Sequence, residues 1–238
     1  MTASLSIAQA FPPSVLDHVT DGPLALGVDL GTTTNKTSNP TAIALVESSG
    51  LERIVRLAAR WKTDKPDITK GILLMLCAEL VRRKKALRLV NIDSSNERFF
   101  ASDCRTTLSG IVRVELSILG SKVEYKGQAM SLKARACGRV ETAAMDNRLR
   151  LPPAEWIQRD LRQIVKEAGS YNAEVEPNGA HADFFIALAL ALDGLEGSGP
   201  ADAEALSISG GRPRRSSGMR PSSEDEDSGI FLSHQLHT

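Results

Sequence analysis

LALGVDLGTTTNKTSNPTAIALVESSGLERIVRLAARW, residues 24–61, holds three short apolar runs separated by turn residues. The first, 24–30, is bounded by Pro23 and Gly31 and reads as a buried strand. Residues 41–46 form a second strand, and 52–61, with β-branched residues near its start, a third. Gly50 lies between the last two, which predicts an antiparallel hairpin. Asp29 breaks the apolar pattern, flanked by Val28 and Leu30. A carboxylate in an apolar strand is costly unless it is paired, liganded or at the strand's end.

Downstream, strand and helix alternate. Residues 66–85 form an amphipathic helix with Ile68, Ile72, Leu73, Leu76 and Leu80 on one face, opened by Pro66-Asp67. A strand over 87–92 follows, then a helix over 96–108 and a strand over 111–118. Helices are expected over 128–144 and 153–168, and a nearly all-apolar one over 183–192. Three strands followed by this alternation predict an α/β mixed sheet, antiparallel first and then parallel, with helices on both faces.

The ends differ from the middle. Residues 1–23 contain no Lys or Arg, carry Pro12-Pro13 and read as an arm or linker. Residues 194–238 are rich in Gly, Ser, Pro and charge, with Arg212, Arg214, Arg215 and Arg220 followed by Glu224-Asp225-Glu226-Asp227. Such composition buries too little apolar surface to offset ordering entropy, so a disordered tail is expected. One domain over 24–193 remains. The 29 basic and 29 acidic residues cancel over the whole chain, but this domain holds 25 basic and 20 acidic residues. Even charge excludes a polybasic protein that holds nucleic acid by bulk charge, not a local basic groove. Aromatic residues are 4%, too few for a base-stacking platform. Cys77, Cys104 and Cys137 are widely spaced, so free thiols are expected rather than a disulfide framework or zinc site. With no signal-peptide pattern and no apolar run of about 20 residues, the expected location is cytoplasmic, without membrane contact.

Two further carboxylates stand at informative places. Asp93 follows the apolar strand, at its C-terminal edge, and Asp183 opens the last apolar helix. Were the strands neighbours and the helix laid across their ends, Asp29, Asp93 and Asp183 would converge. Converging carboxylates suit Mg²⁺ or Mn²⁺, hard cations that take oxygen ligands, and two such ions can drive phosphodiester hydrolysis. Each position has another reading. Asp183 also suits a helix N-terminus, and Asp93-Ser94-Ser95-Asn96 also suits a helix cap.

LALGVDLGTTTNKTSNPTAIALVE resembles the first motif of the nuclease domain of tailed-phage terminase large subunits. RLVNIDSSNERFF is similar to that family's second acidic segment, and GAHADFFIALALAL to its third motif. RLRLPPAEWIQRDLRQI is similar to the stretch before that motif. The resemblance covers roughly residues 24–193. It implies a ribonuclease H-like fold and a metal-dependent endonuclease that cuts concatemeric viral DNA during packaging in a bacterial host. Asp29, Asp93 and Asp183 would then be the ligands of two divalent cations. His181 sits where some members carry a further acidic or histidine residue; a solvated loop histidine is an equally open reading. Glu97 or Asp103 could share or replace the role of Asp93. No GxxxxGK[ST] loop occurs in the chain. The resemblance therefore implies a nuclease domain, split gene product or fragment that works with a separate ATPase chain, a terminase small subunit and the portal.

Three alternatives stay open: a Holliday-junction-resolvase-like nuclease, a non-catalytic packaging subunit that docks DNA, and an actin-like ATPase. GVDLGTTT resembles the first phosphate loop of that last class, but its second, Asp-Gly-rich loop has no counterpart here. For double-stranded DNA, two basic groups are candidates: Arg82, Arg83, Lys84 and Lys85, and Lys133 with Arg135. The first group also suits a solvated helix C-terminus.

Overall fold

The computed structural model describes residues 12–32, 34, 39–167, 169–173 and 181–197. Its centre is a six-stranded sheet. The first three strands are β1 (Leu24–Asp29), β2 (Thr41–Ser49) and β3 (Glu52–Trp61), with Gly50 in the left-handed region at the β2–β3 turn. Helix α1 (Pro66–Arg82) leads to β4 (Leu87–Asp93), and α2 (Arg98–Leu108) to β5 (Val114–Ser117). A small hairpin follows, β6 (Lys122–Tyr125) and β7 (Gln128–Ser131). Helix α3 (Leu132–Met145) runs into the short β8 (Leu149–Arg150). Helix α4 (Glu155–Arg162), the hairpin β9 (Ile164–Glu167) and β10 (Ser170–Ala173), and α5 (Asp183–Gly197) complete the described chain.

Sheet order is β5-β4-β1-β2-β3-β8. β1, β2 and β3 pair antiparallel, while β1–β4, β4–β5 and β3–β8 are parallel. This is the mixed ribonuclease H-like sheet expected from the sequence, with helices on both faces. One face packs Leu26, Val28, Ile43 and Leu45 against Ile72, Leu73 and Leu76 of α1 and Cys104 and Leu108 of α2. The other packs Ala25, Ala42 and Ala44 against α3, α4 and the apolar length of α5. Small residues on that second face let α5 lie directly on the strands. A Cβ on Gly27 would stand 1.8 Å from the Ala187 carbonyl oxygen, so β1 tolerates no side chain there. Asn91 donates to the Leu190 carbonyl (3.2 Å), and Arg135 of α3 grips Asp193 with two hydrogen bonds.

Two expected helices differ in the structure. Residues 128–131 are a strand, because Lys126 and Gly127, both at positive φ, turn the chain into the β6–β7 hairpin before α3 starts. Residues 164–167 are also a strand, paired with β10 through Gly169, so α4 ends at Arg162. The helix expected over 66–85 stops at Arg82, and Lys84 takes a left-handed conformation after it. The last helix runs on to Gly197. Of the expected N-terminal arm, residues 12–23 lie against the core: Leu16 and Val19 are buried, and Thr20 and Gly22 bond to Glu47. Residues 1–11 and 198–238, most of the expected tail, lie outside the described residues. The three cysteines are free and buried, and burial pushes each thiol up to about 12. Among the described residues no helix is long and apolar enough to cross a membrane.

Candidate active site

β1 and β4 lie side by side with Val28 paired to Ile92, so Asp29 and Asp93 end neighbouring strands at the same edge. Register extends this row. Asp29 pairs with Ala42, Ala42 with Arg60, and Asp93 with Ser117. Paired residues share a face, and strands lie about 4.8 Å apart. Arg60, Ala42, Asp29, Asp93 and Ser117 therefore form a line across five strands, on the face covered by α5. Ala187 of α5 sits over Gly27. Asp183 is one helical turn before Ala187, and Asp29 is two residues beyond Gly27, displacements of about 6 Å in each element. The helix start thus meets the strand end, and Asp183 joins Asp29 and Asp93.

The electrostatics follow from this crowding. Asp183 and Asp93 are buried and Asp29 half-buried. Burial, then repulsion from Asp183, Asp93 and Asp160, raises the Asp29 carboxyl well above the usual carboxylate range. Burial and the Asp160 charge raise Asp183 to about 7, although Arg60 and the backbone amides of Asp183 and His181 oppose this. Asp93 is raised by burial, against hydrogen bonds from Ser95 and the charge of Lys133. Its Oδ1 accepts from the Ser95 amide at 2.8 Å and the Ser95 hydroxyl at 2.6 Å, a local turn; the cap reading of this segment is not met, because α2 starts only at Arg98, after Glu97, with no side-chain cap. No cation closes an ion pair with Asp29, Asp93 or Asp183 among the described residues.

Asp160 and Arg60 escaped the sequence reading. Asp160 is buried on α4 and accepts from the amides of Phe184 (3.2 Å) and Phe185 (2.8 Å), so a neighbouring helix caps α5. Gln163 accepts from the amide of Ala182, which is held at φ +45° just before the helix (2.6 Å). The Arg60 guanidinium stacks 4.8 Å over the Trp156 ring, which meets Phe184 edge-on at 5.3 Å. A signal for Asp160 existed: it follows Ile157 by three residues, on the apolar stripe of α4.

The remaining candidates separate. Lys133, on the first turn of α3, acts on Asp93. Arg135 faces Asp193 of α5 instead. Arg82 pairs with Glu79, Arg83 with Glu79 and Asp17, and Lys85 with Asp21. Together with Lys84, these residues lie at the start of β4, about 20 Å along the strand from Asp93. His181 reaches the site through its backbone amide. Glu97 accepts from Thr32 (2.7 Å), in the loop that follows Asp29, whereas Asp103 pairs with Lys70. Among the described residues no three His, Cys, Asp or Glu side chains close into a ready metal-binding group.

The chain has the fold of terminase large-subunit nuclease domains. It superposes on the large terminase nuclease domain of Thermus phage P74-26 with a TM-score of 0.51 at 16% identity, over 73% of this chain and 82% of that one. It superposes on a K428A mutant of the nuclease domain of gp2, the large terminase subunit of bacterial virus Sf6, with a TM-score of 0.52 at 11% identity. That match covers 75% of this chain and 91% of the other, whose structure contains manganese and beta-thujaplicinol. No family model and no curated protein sequence matches the chain.

Proposed function

We propose that the chain is a divalent-cation-dependent DNA endonuclease of the terminase type, cutting concatemeric viral DNA as genomes are packaged. The observation that carries this reading is the meeting of Asp29, Asp93 and Asp183 at one sheet edge, with no ion pair closed on any of them among the described residues. Gathering like charges in a half-dry site costs stability, and an all-oxygen donor set of this kind fits a hard cation. Asp29, Asp93 and Asp183 would hold two Mg²⁺ or Mn²⁺ ions, drawing in from positions that do not yet form a coordinating group. Such ions supply activated water and neutralise charge on the phosphodiester. The manganese in the structure of the Sf6 domain supports the use of a divalent cation.

The chain's own groups position the rest. Asp160 and Gln163 fix the start of α5, and so the direction of Asp183. Ser95 holds one oxygen of Asp93 and leaves the other available. Lys133 and Arg60 flank the carboxylates and supply positive potential for a DNA phosphate. Double-stranded DNA is the proposed substrate. A separate ATPase chain, the small subunit and the portal are the proposed partners in a bacterial host.

The test is plasmid cleavage by purified protein in Mn²⁺ or Mg²⁺, with and without chelator, beside Asp29→Asn and Asp183→Asn. Cleavage by wild type alone, abolished by chelator, is the expected result. Activity that survives both substitutions would sink the site assignment. Cutting confined to four-way junctions would replace the packaging role with junction resolution.

A further inference from the structure

We infer that the cavity between α3 and the β6–β7 hairpin, at the opposite edge of the sheet from the carboxylates, is a docking groove for an acidic peptide segment of a partner protein. The cavity measures about 350 Å³, within the range of ligand-sized sites. Helix α3 forms one side, the tip of the β6–β7 hairpin another, and the β2–β3 turn with Arg148 a third. Around it, Lys126 Nζ and the Arg139 guanidinium stand 5.2 and 5.5 Å from the Tyr125 ring centre. Arg53, Arg148 and Lys166 add three more cationic side chains.

The Nε–H groups of Arg53 and Arg139 are buried and have no hydrogen-bond partner among the described residues. Arg139 Nε lies 3.2 Å from Asp193 Oδ1, yet no hydrogen bond results. Arg139, Arg148 and Lys166 are already paired with Glu196, Asp146 and Glu141, but the six cationic side chains lining the cavity outnumber its three carboxylates, and it is this excess positive charge that an acidic segment meets.

The lining favours a peptide over a nucleic-acid backbone. Glu141, Asp146 and Glu196 are interspersed among the cations and would repel a continuous track of phosphates. A peptide can place its carboxylates between them. Leu51, 69% exposed, and Met130 offer apolar contact in the same groove, and Arg, Tyr and Met are the residue types enriched in protein interfaces. Glu196 lines the groove while Asp183 starts the same helix. The end of the groove lined by Glu196 therefore lies about 20 Å from the carboxylate edge, and an occupant seated there leaves that edge open to substrate.

The probe is a short fluorescein-labelled peptide of alternating Glu and Leu, titrated into the full chain at low salt and followed by anisotropy, with tripolyphosphate and blunt duplex DNA as competitors. Amide shift perturbations map where it binds. The expected result is saturable binding with shifts at Tyr125, Gly127 and Gly138, weakened about tenfold or more in the Lys126→Glu, Arg148→Glu double variant. Plasmid cleavage by that variant stays at the wild-type level. Equal peptide affinity in the variant overturns the inference. So do shifts confined to Gly31 and Ser95, or a variant that loses duplex DNA binding while keeping the peptide.

Discussion

Asp29 is where charge and fold conflict most directly. It ends a strand whose other residues are buried, and burial first, then three carboxylates, raise its proton affinity. Removing its charge therefore relieves repulsion. Asp29→Asn should stabilise the cation-free protein by about 1 kcal/mol, as charge relief at functional sites commonly does. The same substitution should remove most of the melting-temperature rise that Mn²⁺ gives the wild type, because binding to the native state is what produces that rise. Calorimetry in chelator and then in Mn²⁺ reads both effects. A destabilised Asn variant that keeps the full Mn²⁺ shift would remove Asp29 from the cation site. The anomaly was visible in the sequence, since strands disfavour Asp. Asp160 was harder to see: its amide partners on Phe184 and Phe185 lie 24 and 25 residues away, and its charge is ordinary on a surface helix.

At the scale of elements, the site depends on how closely α5 approaches β1. Ala25, Gly27, Ala42 and Ala44 keep that face of the sheet flat, and the start of the helix is delivered to Asp29. A Cβ at Gly27 would meet backbone at 1.8 and 2.7 Å, the Ala187 carbonyl oxygen and the Ala191 amide nitrogen, neither of which can rotate away. Gly27→Ala should cost about 3 kcal/mol, or roughly 10 °C in melting temperature, and lower cleavage by shifting Asp183. An unchanged melt would mean that α5 does not rest on β1. The strands and long helices around this contact were legible because apolar periodicity marks their buried faces. The two small hairpins were not. β6–β7 and β9–β10 are four-residue strands, half-exposed and without sustained alternation. Helix-favouring residues beside them, such as Lys133 to Cys137, extend the helical reading backwards. Turn residues were the overlooked signal: Lys126-Gly127 and Gly169 take the positive φ at which each hairpin turns.

Across the whole described molecule, the two edges of the sheet are used differently. The carboxylates occupy the edge where β1 and β4 end. At the other edge, residues 12–23 are fastened to the sheet. Asp17 pairs with Arg83 and Asp21 with Lys85. Glu47, fully buried on β2, accepts from the Thr20 hydroxyl, the amides of Thr20 and Gly22, and Arg56. Within the basic run 82–85, Arg83 and Lys85 thus tie down the N-terminal segment, while Arg82 pairs with Glu79 of its own helix. Exposed ion pairs contribute little, so the buried Glu47 is the main polar anchor. Burial alone would raise its pKa, but the hydrogen bonds from Thr20, Arg56 and Gly22 together outweigh it and hold the carboxyl below its ordinary value of about 4.3. As pH falls, the unfolded chain takes up this proton before the folded one does. The stabilisation is therefore complete above that ordinary value and is lost as pH drops through the folded pKa. Glu47→Gln leaves Arg56 without its anion and should cost about 2 kcal/mol at neutral pH. Below pH of about 4.3 the gap between variant and wild type should narrow. Denaturant unfolding across that pH range measures it, and limited proteolysis should cut the variant first within residues 12–23. A gap that stays constant down to acid pH would show that the Glu47 charge does not hold this segment.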